Sequence, residues 1–234
     1  MEKLKLTGKV IISGKITTLT GLHIGGSSSA LDIGGIDLNV IKTADGLPFI
    51  PGSSLKGKIR NLLARKAGSL RVEDDPVQIA RIFGTSGDKT ETGPNTRLSV
   101  RDAIIDKEAF QEVFGDADLE YGFTEGKWEN TIDRVKGSAK NPRQLERVPA
   151  GAVFCFEMVY DIYDDGKRDE DLKTIIEAMR LLEDDYLGGS GSRGYGKIKF
   201  SGVKLELRDV HEYYEKEDAF ADFTTLASFA KEFN

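Results

Sequence analysis

The chain has 234 residues with 39% apolar content, and its formal charge is −6. That length can bury the core of one large domain, or of one domain with long insertions, and the second organisation is expected here. The single cysteine, Cys155, excludes an internal disulfide, and no apolar run approaches the length of a bilayer span.

In chain order, residues 8–18 read as a strand. Leu55, Ile59, Leu62 and Leu63 then form one face of a helix that starts near Ser53, with Ser53 or Ser54 as its expected cap. Residues 97–105 are β-rich. Residues 152–162 alternate, with Phe154, Phe156, Met158, Tyr160 and Ile162 on one side. Leu172, Ile175, Ile176, Met179 and Leu182 recur at helical spacing, and Ile198, Phe200, Val203 and Leu205 mark a last strand. The order is βαββαβ, the ferredoxin-like plan that RRM domains share, so the predicted fold class is α+β. Residues 1–208 form one RRM-like domain in this reading, enlarged by insertions at 19–52 and 106–151. A helical tail over 209–234 carries Phe220, Phe223, Leu226, Phe229 and Phe233 as a core-packing stripe. Phe154, Phe156 and Tyr160 can be read as base-stacking aromatics, but they alternate as core residues do, and no RNP1 signature is present.

Charge is segregated along the chain. Lys42 to Lys66 hold six basic residues against one acid, and Arg134 to Arg147 hold five against one. Both islands overlap the insertions, whose lengths exceed those of ordinary connections. A polyanion partner is therefore compatible with a net negative chain. Residues 188–197 add five glycines with Arg193, Tyr195 and Lys197. With so few side chains, the backbone N–H groups of this loop can approach an anion closely. Gly189, Gly191 and Gly194 satisfy GxGxxG, but that dinucleotide fingerprint needs a strand before and a helix after, and here the order is reversed. At the first helix, Lys56 and Arg60 share one flank of the apolar face and Lys58 lies on the other, an arrangement able to straddle a phosphate backbone beside the helix N-terminus. The alternative is a solvated helix face. Cys155, His23 and His211 are too few soft or imidazole ligands for a structural zinc site, so any metal is expected on oxygen. The opening residues Met1 to Gly8 hold no apolar signal-peptide core, and a cytoplasmic protein without a membrane partner is expected.

Gly21-Leu-His-Ile-Gly-Gly26, Gly34-Gly-Ile-Asp37, the basic helix, Phe123-Thr-Glu, Glu129-Asn-Thr-Ile-Asp-Arg134, Asn141-Pro-Arg-Gln-Leu-Glu-Arg147 and Asp185 through Lys197 occur in order. Together they resemble the backbone-subunit family of type III-A CRISPR effector complexes, the Csm branch of the RAMP superfamily, over residues 4–207. The resemblance implies a subunit that polymerises in copies along a CRISPR guide RNA beside other subunits of the complex. Such a subunit cuts complementary target RNA at regular intervals. It also implies that the second insertion forms a β-hairpin thumb lined by Arg134, Arg143 and Arg147. Sequence would then be read by base pairing rather than by the protein.

Asp37 matches the family's catalytic aspartate. A solvated aspartate is a poor general base at neutral pH but a good ligand for a hard cation, so Mg²⁺ or Mn²⁺ on Asp37 is expected to promote attack by a ribose 2′-hydroxyl. Without the resemblance, Asp37 reads as a turn residue after two glycines. Asp32 lies outside the matched slot. The expected RNA contacts are His23, Ser53, Ser54, Lys56, Lys58, Arg60, Arg134, Arg147, Gly191, Ser192, Arg193 and Lys197. His23 reads either as a base or RNA contact or as a loop-ordering group. Asp102, Glu125 and Glu129 are expected in ion pairs with arginines rather than in a metal shell. Two other functions fit the same residues: a non-catalytic guide-binding subunit, and a guide-processing endoribonuclease that relies on histidine.

Overall fold

In the computed structural model, residues 4–26, 39–85, 96–115, 117, 119 and 122–210 are described. Strand β1 (Leu6–Thr18) is rich in β-branched residues and buries Val10, Ile12 and Ile16 on one face. It pairs antiparallel on both sides. Ile12 lies opposite Met158 of β7 (Val153–Tyr163) and opposite Leu205 of β8 (Ile198–Asp209). Beyond β7 come β3 (Leu98–Val100) and β4 (Ala103–Ile105), and β4 also pairs with the short β2 (Phe49–Ile50). The resulting sheet order, β2-β4-β7-β1-β8, places the first strand between the last two, as the ferredoxin-like plan requires.

Helices α1 (Gly52–Ala67) and α4 (Arg168–Glu183) pack on each other over one face of the sheet. Leu55, Ile59, Leu62 and Leu63 of α1 and Leu172, Ile175, Ile176, Met179 and Leu182 of α4 are buried against the sheet, as their helical spacing predicts. Phe154, Phe156 and Tyr160 are core residues, at most 2% exposed, and not base-stacking aromatics. Phe156 meets Phe200 edge to face at 5.4 Å. Helix α1 ends where Gly68 adopts a left-handed conformation at φ 74°, and α4 starts with Asp169, Glu170 and Asp171 at the positive end of its dipole.

Three local features differ from the sequence reading. The expected strand over 97–105 is broken at Arg101 and Asp102, because Asp102 turns to accept the Gly52 N–H at 2.7 Å. That bond also replaces the expected serine cap of α1. Pro51 holds the N-cap position, and neither Ser53 nor Ser54 caps the helix. Two short helices, α2 (Val77–Phe83) and α3 (Lys107–Phe114), occupy connections that carry too few residues for a clear helical period. The second insertion does contain a hairpin, formed by β5 (Glu125–Ile132) and β6 (Ala139–Arg147) as a separate two-stranded sheet. The expected tail helix over 209–234 falls outside the described residues beyond Val210.

Beneath α2 and α4 lies a buried charged cluster. Asp171, fully buried, accepts two hydrogen bonds from Arg81 at 2.5 and 3.0 Å and one from the Tyr160 hydroxyl at 2.8 Å. Arg97, 2% exposed, is held by Asp165 at 2.6 Å. Burial, reinforced by the Asp171 carboxylate, pushes the Tyr160 phenol well above its ordinary pKa, so it remains a donor. Removing one partner of a buried pair strands the other charge. Asp171→Ala is expected to destabilise the fold by about 3–5 kcal/mol, read as a lower urea midpoint. A midpoint equal to wild type would show that the cluster is solvated.

Candidate nucleic-acid interface

At one end of the sheet the two insertions are tied to each other by Glu146 of β6, which is 3% exposed. Its carboxylate accepts the Val40 N–H at 2.8 Å, the Lys42 ammonium and the Thr124 hydroxyl. Burial alone would raise the pKa of this acid. The Lys42, Thr124 and Val40 donors outweigh that effect and hold it below the ordinary carboxylate range. The Glu146 backbone carbonyl accepts from His23 Nδ1 at 2.7 Å, which fixes the proton of a neutral ring on Nδ1. His23 is 7% exposed, so the loop-ordering reading describes its place. Leu22 and Val148 exchange backbone hydrogen bonds at 2.9 and 2.8 Å, and residues 24–26 pair with residues 39–41. The segment carrying Asp37 leaves from and returns to this second ladder.

The glycine-rich loop docks on Gly21 and His23, either side of Leu22 in the first ladder. The N–H groups of Leu187, Gly189, Arg193, Gly194 and Gly196 are all engaged by backbone carbonyls, two of them on His23 and Gly21. The glycines therefore serve close packing of chain on chain more than an open cradle of N–H groups. A Cβ on Gly188, where φ is 78°, would lie 2.3 Å from the His23 carbonyl oxygen, and one on Gly191 would lie 2.0 Å from the Tyr186 ring. Lys58 places its ammonium 3.7 Å from the centroid of that ring and 3.2 Å from Asp185. Gly191, Ser192 and Arg193 form a 3-10 turn, in which Ser192 and Arg193 are exposed, and Lys197 is exposed beyond it.

Cations and carboxylates interleave where the hairpin meets the loop. Glu129 of β5 accepts from Arg193 Nε on Oε1 at 3.3 Å and from Arg143 on Oε2 at 3.2 Å, and Oε2 also lies 3.0 Å from Arg193 Nε. Glu125 holds Arg147 at 2.7 Å. The Arg147 side chain lies against Gly21, where a Cβ would clash at 2.4 Å, and over the ring of Tyr195 at 5.2 Å. Lys127 approaches the same ring at 4.6 Å. Tyr195 is buried with its hydroxyl toward Glu129; burial first and that carboxylate second raise the phenol above its ordinary pKa. Glu125 and Glu129 are thus in arginine pairs, as expected, whereas Asp102 serves the α1 terminus. Arg134 lies apart from this cluster, exposed in the turn at the hairpin tip, where Asp133 accepts the Val135 and Lys136 N–H groups at 2.9 and 3.0 Å. Trp128, Ile132 and Val135 are exposed along the hairpin.

The basic residues of α1 do not act as one set. Arg60 makes a forked bond to Asp75 at 2.7 and 2.9 Å, and Lys58 is held by Asp185 and Tyr186. Both bonds are internal and link α1 to neighbouring segments. Lys56 donates to Thr96 at 2.9 Å; burial, then the nearby Arg60, lowers its pKa. Ser53 is exposed and Ser54 half-buried at the start of the helix.

Asp37 and the alternative Asp32 lie outside the described residues. Among the described residues no group of three or more His, Cys, Asp or Glu side chains is placed to hold a metal. No helix among them is long and apolar enough to cross a membrane.

Sequence reasoning overlooked Glu146, Tyr186 and Tyr195. Glu146 did leave a signal: it is the one acid within the basic run Arg134–Arg147, directly after the apolar Leu145.

The sheet order and the insertions gathered at one end define an enlarged ferredoxin-like domain. The chain belongs to the RAMP superfamily, whose family model matches residues 15–199. It is 47% identical over 226 residues to the CRISPR system Cms endoribonuclease Csm3 of Methanocaldococcus jannaschii, covering 92% of this chain and 87% of that protein. The Streptococcus thermophilus protein of the same name is 45% identical over 203 residues, covering 84% and 89%. Among solved structures, a chain of the Csm3–Csm4 subcomplex in the type III-A CRISPR-Cas interference complex matches with TM-score 0.62 and 37% identity, covering 98% of this chain and 96% of that one. Methanopyrus kandleri Csm3 matches with TM-score 0.60 and 25% identity, covering 89% and 80%.

The depressed pKa of Glu146 has a definite sign. A carboxyl whose folded pKa lies below its unfolded value stabilises the fold above the unfolded value, and that contribution is lost as pH falls through the folded one. Glu146→Gln is therefore expected to be less stable than wild type at neutral pH, with the gap closing on acidification. Urea unfolding at stepped pH measures this, and parallel profiles would contradict it.

Proposed function

We propose that this chain is the guide-binding backbone subunit of a type III-A interference complex in the cytoplasm. It polymerises in copies along the CRISPR RNA beside other subunits and cleaves complementary target RNA at regular intervals. The observation that carries this reading is the convergence at Glu146: the glycine-rich loop, the arginine-bearing hairpin and the ladder that launches the Asp37 segment meet at one end of the sheet. The family relationship and the names of the relatives support the same reading.

In this reading the half-exposed Arg143 and Arg193, with the exposed Lys197, hold the sugar-phosphate backbone. The hairpin, exposing Trp128, Ile132 and Val135, wedges into the guide-target duplex, displaces a base pair and kinks the strand. Aspartate carboxylates are good ligands for hard cations, and Asp37 with target phosphate oxygens would hold Mg²⁺ or Mn²⁺. That cation supplies Lewis-acid stabilisation of charge on the phosphate. With Asp37 as its protein ligand, the target 2′-hydroxyl would attack the adjacent phosphorus in line as the P–O5′ bond breaks, its proton passing to solvent and the leaving 5′-oxygen taking one up, to give a cyclic phosphate and a 5′-hydroxyl. A histidine-based processing activity is less well supported, because His23 is buried and bonded to the Glu146 carbonyl.

The reconstituted complex is expected to yield regularly spaced cuts that disappear with Asp37→Ala and with a chelator, while guide binding persists. Arg193→Ala is expected to weaken RNA binding and to reduce the salt slope by about one. Full cleavage by Asp37→Ala, with guide bound, would refute the assignment. Chelator-resistant cuts would remove the metal.

A further inference from the structure

Glu129 is an acid at a surface read as an RNA grip, and its simplest effect on a polyanion is repulsion. Its geometry indicates another role. One carboxylate oxygen, Oε2, lies 3.0 Å from Arg193 Nε and 3.2 Å from an Arg143 terminal nitrogen, so those two nitrogens are within about 6 Å of each other. The carboxylate is 11% exposed, whereas each arginine side chain is 48% exposed. The acid therefore lies behind two guanidiniums that face solvent. Arg193 is pinned a second time, donating to Ser190 Oγ at 2.5 Å. Arg143 likewise bonds Glu129 through one terminal nitrogen. Arg143 comes from the hairpin and Arg193 from the glycine-rich loop, and Glu129 is the acid that both pair with.

We propose that Glu129 is a positioning residue that aims Arg143 and Arg193 as a two-guanidinium fork at a single phosphate of bound RNA. This rests on the RNA-binding reading above and deepens it. Two guanidiniums against one carboxylate leave a positive surplus at the mouth of the fork. A planar guanidinium held in place also loses less freedom on binding phosphate than one that must first be ordered. Burial would raise the pKa of Glu129, but Tyr195 first, then Arg143 and Arg193, hold it below the ordinary carboxylate range, so it is charged at neutral pH.

The two roles of the acid predict opposite signs. If charge dominates, removing Glu129 tightens RNA binding; if positioning dominates, removing it loosens binding. The test is fluorescence anisotropy of the full chain with a labelled single-stranded RNA over a salt series, with melting temperatures alongside. Glu129→Ala is expected to weaken binding about tenfold, the loss of one well-placed charge-assisted contact. Glu129→Gln, which keeps the shape and one acceptor, is expected to lose less. In an Arg143→Ala, Arg193→Ala background there is nothing left to aim, so adding Glu129→Ala is expected to leave affinity unchanged or raise it. Unchanged or tighter binding by Glu129→Ala with both arginines present overturns the proposal. An equal loss in both backgrounds also overturns it, since that is general damage. If Glu129→Ala melts early, Glu129→Gln decides, and wild-type affinity for that variant overturns the proposal. Failure of the wild-type chain to bind RNA at all would instead remove the reading on which the proposal rests.

Discussion

A buried carboxylate is expensive unless every lone pair finds a donor, and Glu146 meets that demand with donors from separate parts of the chain. Val40 and Lys42 belong to the first insertion, Thr124 to the entry of the hairpin, and the carbonyl of the same residue holds His23. None of these segments belongs to the ferredoxin-like sheet. Their common constraint is that the acid must not be left unpaired, and this converts two long excursions into one shaped end of the molecule. The glycine-rich loop then docks on His23 and Gly21, so its position is inherited from the same residue one step removed.

The net charge of −6 is compatible with a basic surface because the acids are used locally. Asp165 and Asp171 are consumed by Arg97 and Arg81 under α2, Asp75 by Arg60, and Asp185 by Lys58. These bonds hold the helices to each other and to the sheet. The cations that remain half-exposed at the working end, Arg143 and Arg193, share a single acid between them. A count of charges along the chain does not distinguish these two uses. What separates them is whether the partner acid lies within the same packed layer.

The core was legible because its signals are strong and local. The alternation of Phe154, Phe156, Met158 and Tyr160 and the helical spacing from Leu172 to Leu182 each specify one face, and both faces are buried as read. The start of α1 was misread, since a serine at a helix start is an ordinary cap and nothing near it in sequence announces that Asp102, 50 residues away, takes the Gly52 N–H. The glycine-rich loop was placed correctly between α4 and β8, but the use of its N–H groups was not legible, because their acceptors on Gly21 and His23 are set by tertiary contact. Arg60 and Lys58 were read from a helical wheel, which knows the helix and not its neighbours. Asp37 rests on the family motif, as it lies outside the described residues.

The position of β1 has a consequence for how the molecule is made. Thr17 lies opposite Val153 on one side and Lys199 on the other, so the central strand is synthesised first and both its neighbours last. At ordinary elongation rates the ribosome needs roughly 10–40 s to deliver the second partner. Through that interval Val10, Ile11 and Ile12 present an apolar strand with two open edges. Contacts of such long sequence separation also close slowly once the partners exist. The vulnerable moment in the life of this chain is therefore its emergence, when its most central segment is the one least able to find its place.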